Sequence, residues 1–458
     1  MNKESSLGLR PMVAFTIAIV IAVLATHELA GAQTLSATDR DRGHVMLKSI
    51  KNEIKKNYYD PTFKGIDLEA RFKAADEKVD AAKSIGQVFG IVAQVLLDFE
   101  DSHLFFIPPQ RSDTVDYGWQ MQMIGDSCYV SAVKPGSDAE AKGLKPGDLV
   151  KTVDNFSPTR ENLWKLKYLY YALRPQPGMR VTVQSPNGAD SESVREFRSG
   201  DRQLDLMAKV KRGKRLVDLT FSSGDSDFWD LIRESENQDR LRRHRYYEMG
   251  DDALIWKMPQ FDLDERGVDD MMGKAKKRKA LILDLRGNPG GAETTLKYLL
   301  GYFVDSELKI GDIKRRKETK PLLVKPQGGG FKGKLVVLID GESGSSAEVF
   351  ARMIQMQKAG TVIGDRSAGA VMRAKGYDFQ IGADVVVFYG ASITDADLIM
   401  TDGQSLEGKG VTPDELILPT GADLAAKRDP ILARAAALVG LKLDPEKAGA
   451  MFPVEWRK

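Results

Sequence analysis

The sequence predicts an α/β (α+β multidomain) protein in which a helical segment and a β-rich module precede an α/β core. Three observations carry this reading. Residues 36–108 place apolar side chains at helical spacing, as in HVMLKSIKNEIKKNYYD and SIGQVFGIVAQVLLDFED, and Pro108-Pro109 ends the pattern. Residues 114–198 change to short β-like runs and glycine turns (WQMQMI, CYVSAV, DLVKTVD, RVTVQS) around one helical stretch, TRENLWKLKYLYYALR. From residue 246 onward, strand and helix patterns alternate: DALIWKM, KALILDLR, AETTLKYLLGYFV, KLVVLID, SSAEVFARMIQMQKAG, TVIGD. Such alternation argues for crossover connections within an α/β core. Residues 199–245 are highly charged and carry no clear period.

Composition narrows the function. A chain of 458 residues suits two or three domains, and 42% apolar with 29% charged residues is the balance of a globular protein with real cores. The formal net charge is +2, so no strong field points to nucleic acid or to a membrane surface. The basic runs Lys276–Lys279 and Arg240–Arg245 sit beside acidic stretches and read as solvated faces. Lys3 and Arg10 precede an apolar run from Met12 to Ala25, and Ala30-Gly31-Ala32 follows with small residues. This is the pattern of a secretory signal peptide, residues 1–32, cleaved after Ala32. It predicts a periplasmic or extracellular protein with no stable membrane insertion after cleavage. Cys128 is the only cysteine, which excludes an internal disulfide and a Cys-based zinc site and leaves it as a buried small hydrophobe. Asp98, Glu100, Asp101 and His103 are too closely spaced to suggest a metal site, so no metal and no cofactor is expected.

Between residues 114 and 198, SAVKPGSDAEAKGLKPGDLVKTVDN runs strand, turn, short helix, Gly143-Leu-Lys-Pro-Gly-Asp148, strand. This order resembles a PDZ domain of the bacterial protease-associated kind. The resemblance assigns Tyr117, Gly118, Trp119 and Gln120 to the loop that receives a peptide's C-terminal carboxylate. A glycine-permitted turn can expose successive N–H groups to a carboxylate while the peptide adds as a strand. The other reading is a module with a closed groove, plugged by Trp119.

Two stretches carry chemistry. IDGESGSSAEVF, residues 339–350, sets three serines between an apolar strand and a helix start. A helix N-terminus offers unpaired N–H groups that could stabilise an oxyanion, but a serine there is equally a favoured N-cap. LILDLRGNPGGAETT is a second buried strand that runs through Gly290-Gly291 into a helix. Glycines there let the backbone approach a ligand closely.

Together these segments resemble the tail-specific, or C-terminal processing, serine peptidases. That family has a D-x-R-x-N-x-G-G strand end and then an S-x-S-x-x-E nucleophile segment. LLDFEDSHLFFIPP is similar to its D-x-H-T element, and LEGKGVTPD to its closing G-[IV]-x-P-D segment. The resemblance spans nearly the whole mature chain. It implies a helical domain (36–108), a PDZ-like domain (114–198), a crotonase/Clp-protease-like ββα-type core (199–424) and a C-terminal helical extension (425–458). It further implies polypeptide substrates taken by their C-terminal tails, and leaves homo-oligomerisation open.

Carried over by position, Ser345 is the nucleophile. Ser346 and one of Gly290 or Gly291 supply oxyanion N–H groups. The Ser-Lys branch of the family places its lysine where this chain has Ala370, which cannot take a proton; Lys375 is five residues away. A second branch, resembling the tricorn core protease, uses a Ser-His pair and a glutamate, and the matching residues are Ser102, His103 and Glu407. His103 is therefore the expected base, since a neutral imidazole can accept the Ser345 proton near pH 7. Ser343 is the rival nucleophile through an incomplete G-x-S-x-G match. Gly328–Lys334 imitates a phosphate loop but lacks the final Ser/Thr. The competing function is a catalytically inactive protein that binds peptides or apolar ligands on the same fold.

Overall fold

A computed structural model of the chain describes residues 35–109, 113–186, 200–212, 243–382, 386–454 and 456. The expected signal peptide, residues 1–32, lies outside them, as does most of the charged stretch from 199 to 245.

Helices α1 (Ala37–Asn57), α2 (Leu68–Asp80) and α3 (Ile85–Leu97) form the N-terminal layer, each started by a side-chain cap from Ser36, Asp67 or Ser84. Such a cap contributes ~1 kcal/mol. Their apolar stripes meet in one core that includes Ile50, Ile54, Phe72, Val79, Val88, Val92 and Leu96. The last part of this segment departs from the helical expectation, because Phe105–Ile107 is a strand, β1.

The β-rich module comprises β2 (Asp113–Asp116), β3 (Trp119–Ile124), β4 (Ser127–Val133), α4 (Asp138–Ala141), β5 (Leu149–Val153), α5 (Leu163–Lys167), β6 (Gly178–Gln184), β7 (Asp201–Met207) and β8 (Lys209–Arg212). Strands β3 to β7 make an antiparallel sheet in chain order. Strands β2 and β8 pair with each other, so the two stems of the module are zipped together. The helical stretch is shorter than its periodicity predicts: α5 passes into a π-helical turn over Tyr168–Leu173.

The core comprises β9 (Arg245–Met249), β10 (Ala253–Lys257), α6 (Glu265–Ala275), β11 (Ala280–Asp284), α7 (Glu293–Leu300), β12 (Leu308–Arg315), β13 (Thr319–Val324), β14 (Lys334–Ile339), α8 (Ser346–Met356), β15 (Thr361–Gly364), β16 (Arg373–Ile381), β17 (Val387–Met400) and β18 (Glu415–Leu416). Helices α9 (Gly421–Ala425), α10 (Pro430–Leu438) and α11 (Pro445–Met451) follow. One sheet runs β18-β15-β14-β11-β10-β9 and is parallel except for its β9 edge. Alternate side chains of these strands face opposite layers. Leu254, Leu281, Leu283, Val337 and Val362 meet α6, α7 and α8 on one face. Ile255, Ile282, Val336, Leu338 and Ile363 meet α10 and α11 on the other. Both faces are covered, which is why these strands read as unbroken apolar runs.

A second sheet, which the alternating pattern does not foretell, is built on β17. That strand pairs with β1, β12 and β16, all antiparallel. Its Tyr389, Ala391 and Ile393 belong to the core of the helical layer, and its Met400 belongs to the core of the α/β unit. Phe105 pairs with Ser392 in this arrangement, so β1 stitches the N-terminal layer to the core. No helix among the described residues is long and apolar enough to cross a membrane.

The β-rich module docks on the core by polar and backbone contacts. Arg160 pairs with Asp365, and the Gly125 N–H donates to Asp365 Oδ2 at 2.8 Å. Gly147, at φ +90°, lies so close to the C-terminal segment that a Cβ there would stand 2.1 Å from the Gly421 carbonyl oxygen. Gly147→Ala therefore combines a forbidden dihedral with a backbone clash, and should lower stability by about 1–3 kcal/mol. Urea unfolding measures this, and a midpoint equal to wild type would contradict the docking.

Candidate active site

The three serines of the 339–350 turn have different surroundings. Ser343 is fully buried, and its Oγ donates to the Leu285 carbonyl (2.8 Å) and accepts the Asp340 N–H (2.9 Å). It shapes the turn. Ser346 is buried at the first position of α8, and its Oγ donates to the Gly291 carbonyl at 2.9 Å. Ser345 alone is partly exposed, and it forms a capping box with Glu348 at the start of α8. It sits between β14 and α8 at φ 49°, ψ −119°, a strained conformation for a residue with a Cβ. Strained strand-to-helix turns of this kind push a serine hydroxyl out of the sheet.

Glu348, one turn into α8, sustains that conformation. It is fully buried, and four donors converge on its carboxylate. Oε1 accepts Ser367 Oγ (2.6 Å) and the Gly369 N–H (2.7 Å). Oε2 accepts the N–H groups of Ala370 (2.8 Å) and Ser345 (3.0 Å). The Ser345 N–H is shared with the Ala370 carbonyl at 2.7 Å. Burial pushes the Glu348 carboxyl up to about 7 against the pull of these donors. Sequence reasoning used Glu348 only to set the register of Ser345; its spacing of three from an N-terminal serine is the capping-box signal that marks it.

The Arg286–Gly291 loop lies against the same turn. A Cβ on Gly290 (φ +108°) would stand 2.5 Å from the Ser345 Cβ and 2.9 Å from the Ser346 N, so only glycine fits. The two glycines differ in their free groups. The Gly290 N–H donates to Asn288 Oδ1 at 2.8 Å. The N–H groups of Gly291 and Ser346 have no acceptor among the described residues.

Ser102, His103 and Glu407 come together although Ser102 and Glu407 lie 305 residues apart. Glu407 Oε1 accepts the Ser102 N–H (2.9 Å), and its Oε2 accepts Ser102 Oγ (3.0 Å) and the Val371 N–H (2.9 Å). His103 Nδ1 lies 2.7 Å from Ser102 Oγ. The hydroxyl has one proton and gives it to the carboxylate, so it accepts from Nδ1–H, and the imidazole lone pair falls on Nε2. Burial, and then the charge of Asp101, push the Glu407 carboxyl up to about 7. Asp101 is itself buried and takes Tyr58 Oη (2.9 Å), Thr394 Oγ1 (2.7 Å) and the His103 N–H (3.0 Å). It fixes the backbone of His103, a role that sequence reasoning did not assign. A continuous path thus runs from His103 through Ser102, Glu407 and Val371 to Ala370, whose carbonyl holds the Ser345 N–H.

Ala370 lies against Ser345, and nothing on that side chain can carry a proton. Lys375 projects from β16 with its side chain 62% exposed, 4.0 Å from Asp395 Oδ2. Of the four residues assigned to a carboxylate-binding loop, three are buried: Tyr117, Gly118 and Trp119. The Tyr117 hydroxyl donates to the Gln176 carbonyl (3.0 Å), and the Gly118 N–H donates to Asp116 Oδ1 (2.9 Å). Trp119 lies between β3 and the α5 segment beside Met121, Lys167, Tyr170, Tyr171 and Met179, leaving a cavity of only about 10 Å³. Its Nε1 is buried with no partner among the described residues.

Residues 253–417 match the family model described as Peptidase family S41. The fold and this match define a serine-type peptidase. The chain is also similar in sequence to named bacterial serine proteases. It is 21% identical over 413 residues to a probable CtpA-like serine protease of Staphylococcus haemolyticus, covering 88% of this chain and 72% of that protein. It is 24% identical over 335 residues to the tail-specific protease of Haemophilus influenzae, covering 69% of this chain but only 43% of that protein. Among solved structures, mature CPAF superposes with a TM-score of 0.59 at 14% identity, over 85% of this chain and 95% of that one. A CPAF mutant does so with a TM-score of 0.63 at the same identity and coverage. At that identity the likeness concerns the fold alone.

Glu348→Ala would leave Ser367 Oγ and the N–H groups of Gly369 and Ala370 without an acceptor. At roughly 1–3 kcal/mol for each buried unpaired group, the loss should reach about 3 kcal/mol or more. Denaturant unfolding reads this directly. An unchanged midpoint would mean that the donors find other acceptors.

Proposed function

We propose that the chain is an exported serine endopeptidase that cleaves polypeptides through an acyl-enzyme on Ser345, with His103 as base. The observation that carries this is the His103–Ser102–Glu407 relay, which ends one residue from the carbonyl that holds Ser345. His103 takes the Ser345 proton on Nε2 as Oγ attacks the scissile carbonyl. Ser102 and Glu407 hold the imidazole in the required tautomer and stabilise the imidazolium. The N–H groups of Gly291 and Ser346 receive the oxyanion, while Gly290 orders the loop through Asn288. His103 then returns the proton to the leaving amine, and water hydrolyses the ester. Glu407 supports this chemistry as a carboxylate, because only the ionised form accepts three donors without a proton of its own.

In this proposal the PDZ-like module captures substrate tails by strand addition along the outer edge of β3. Trp119 must leave the groove for this to happen. Tyr117, Gly118 and Gln120 would then frame the carboxylate. Export follows from the expected signal peptide, with cleavage after Ala32 and release to the periplasm or the exterior. The competing reading, an inactive binding protein, draws on Ala370 and on the filled groove.

A fluorophosphonate probe separates the two. The mature protein should be labelled, and Ser345→Ala should not. His103→Ala should slow labelling by at least about a hundredfold. Labelling that survives Ser345→Ala would remove that serine from the mechanism, and no labelling of wild type would favour the binding protein.

The relay also sets a pH dependence. With Glu407 raised to about 7, the ionised form is complete only above that pH. The kcat/KM for an unfolded substrate should therefore fall as pH drops through about 7. In Glu407→Gln that limb should shift, leaving only the one set by protonation of His103, and most of the rate should be lost. An acid limb unchanged in Glu407→Gln would assign it to another group.

A further inference from the structure

The matched family segment ends at residue 417, yet the chain continues through α9, α10 and α11. The geometry points to a part for this extension in the site: Asp429 is a positioning residue that holds the Gly287–Gly291 loop through Arg286. The inference rests on the reading of that loop as the oxyanion-binding element.

Arg286 opens the loop, and its guanidinium is bracketed by two carboxylates. Nε donates to Asp284 Oδ1 (2.9 Å), and Nη2 donates to Asp284 Oδ2 (2.7 Å). Nη1 donates to Asp429 Oδ1 (2.9 Å), and Nη2 also reaches Asp429 Oδ2 (2.7 Å). Two forked pairs at right positions on one planar group fix its orientation as a single carboxylate could not. The backbone of Arg286 is pinned as well. Its N–H donates to Asp284 Oδ1 (3.0 Å), and its carbonyl accepts Lys257 Nζ (2.6 Å). Lys257 Nζ also reaches Asp284 Oδ1 at 3.1 Å, so two cations face two carboxylates. Burial alone would raise the Asp284 carboxyl, but Arg286 and Lys257 hold it well below the usual carboxylate range.

From Arg286 the constraint passes down the loop. The Gly287 N–H donates to Asp340 Oδ1 (2.9 Å), the Asn288 N–H to the Leu285 carbonyl (3.1 Å), and the Gly290 N–H to Asn288 Oδ1 (2.8 Å). The Asn288 carbonyl in turn accepts the Gly344 N–H at 2.9 Å, next to Ser345. At the other end, Asp429 is held by the extension itself. Its Oδ1 caps α10 through the Leu432 N–H (2.9 Å), and its N–H donates to the Pro445 carbonyl (2.9 Å). Ile431, Leu432, Ala435 and Ala436 anchor α10 to the sheet. The forked carboxylate is what connects the extension to the loop.

Asp429→Asn tests this with little change of shape. Asparagine remains a good N-cap but turns an NH₂ group toward Arg286. The far-UV signal and the exchange of α10 amides should be unchanged. Amide exchange across residues 286–291 should accelerate by at least tenfold, KM should hold, and kcat should fall about 10- to 100-fold. Asp429→Glu should recover part of that loss. Unchanged exchange across 286–291 overturns the proposal, whatever happens to activity. A wild type that fluorophosphonate does not label defeats the peptidase reading instead, and the exchange measurement still decides the brace. If α10 itself loses protection, Arg286→Lys gives the deciding measurement: it keeps the charge and the cap but lacks the fork. There the loop should loosen while α10 stays protected, and a loop as protected as in wild type overturns the proposal.

Discussion

One buried carboxylate orders the centre of this molecule. Glu348 gathers the Ser345 N–H, two consecutive N–H groups of Gly369 and Ala370, and the Ser367 hydroxyl. An isolated charge at such depth would be very costly, and the four donors are what make it tolerable. The relation also runs the other way. Ser345, at a positive φ, has its N–H held on both sides, by Glu348 and by the Ala370 carbonyl. Ser367 Oγ extends the cluster by accepting the Val411 N–H at 2.6 Å, which brings the Gly410-Val411 turn to the site. The strand-to-helix turn, the segment at the missing lysine and the closing segment are therefore one hydrogen-bonded unit.

Both flanking modules lean on that unit. Lys167 of the β-rich module reaches Glu342 at 2.8 Å, two residues before Gly344, and Gln122 reaches Asp340 at 2.6 Å. The helical layer brings Ser102 and His103, held by Asp101 and by the β1–β17 pairing. Two carboxylates, Glu348 and Glu407, are raised to about 7 by burial, and Glu407 in turn raises Glu348. The three residues between their contacts, Gly369 to Val371, thus lie between two buried acids whose protonation is linked.

Local pattern carries most of the architecture. Strands β10, β11, β14 and β15 are continuous apolar runs because helices cover both faces of their sheet, and α8 and α7 follow tight glycine turns. The hairpin of β16 and β17 was not legible for the opposite reason. RAKGYDFQI alternates exposed and half-buried residues, and its partner serves two cores at once, so neither strand carries one clean period. The FFI of β1 reads as the tail of a helical run because its pairing partner lies far along the chain. The site follows the same division. Motif spacing points to Ser345, His103 and the paired glycines. It does not reveal that the Gly290 N–H is already bound or that Glu407 touches Ser102. Those facts depend on where side chains meet after distant segments have packed.

The span between Ser102 and Glu407 has a kinetic meaning. Contacts across 305 residues are among the last a chain can close, because loop entropy must be overcome before they form. During vectorial synthesis, Ser102 and His103 emerge early, and Glu407, which holds Ser102, emerges near the end. The imidazole has no fixed tautomer until β17 has paired with β1 and the 406–411 turn has seated. A half-made chain carries Ser102 and His103 but neither Ser345 nor Glu407, so the arrangement exists only once the last of these segments has been made and packed.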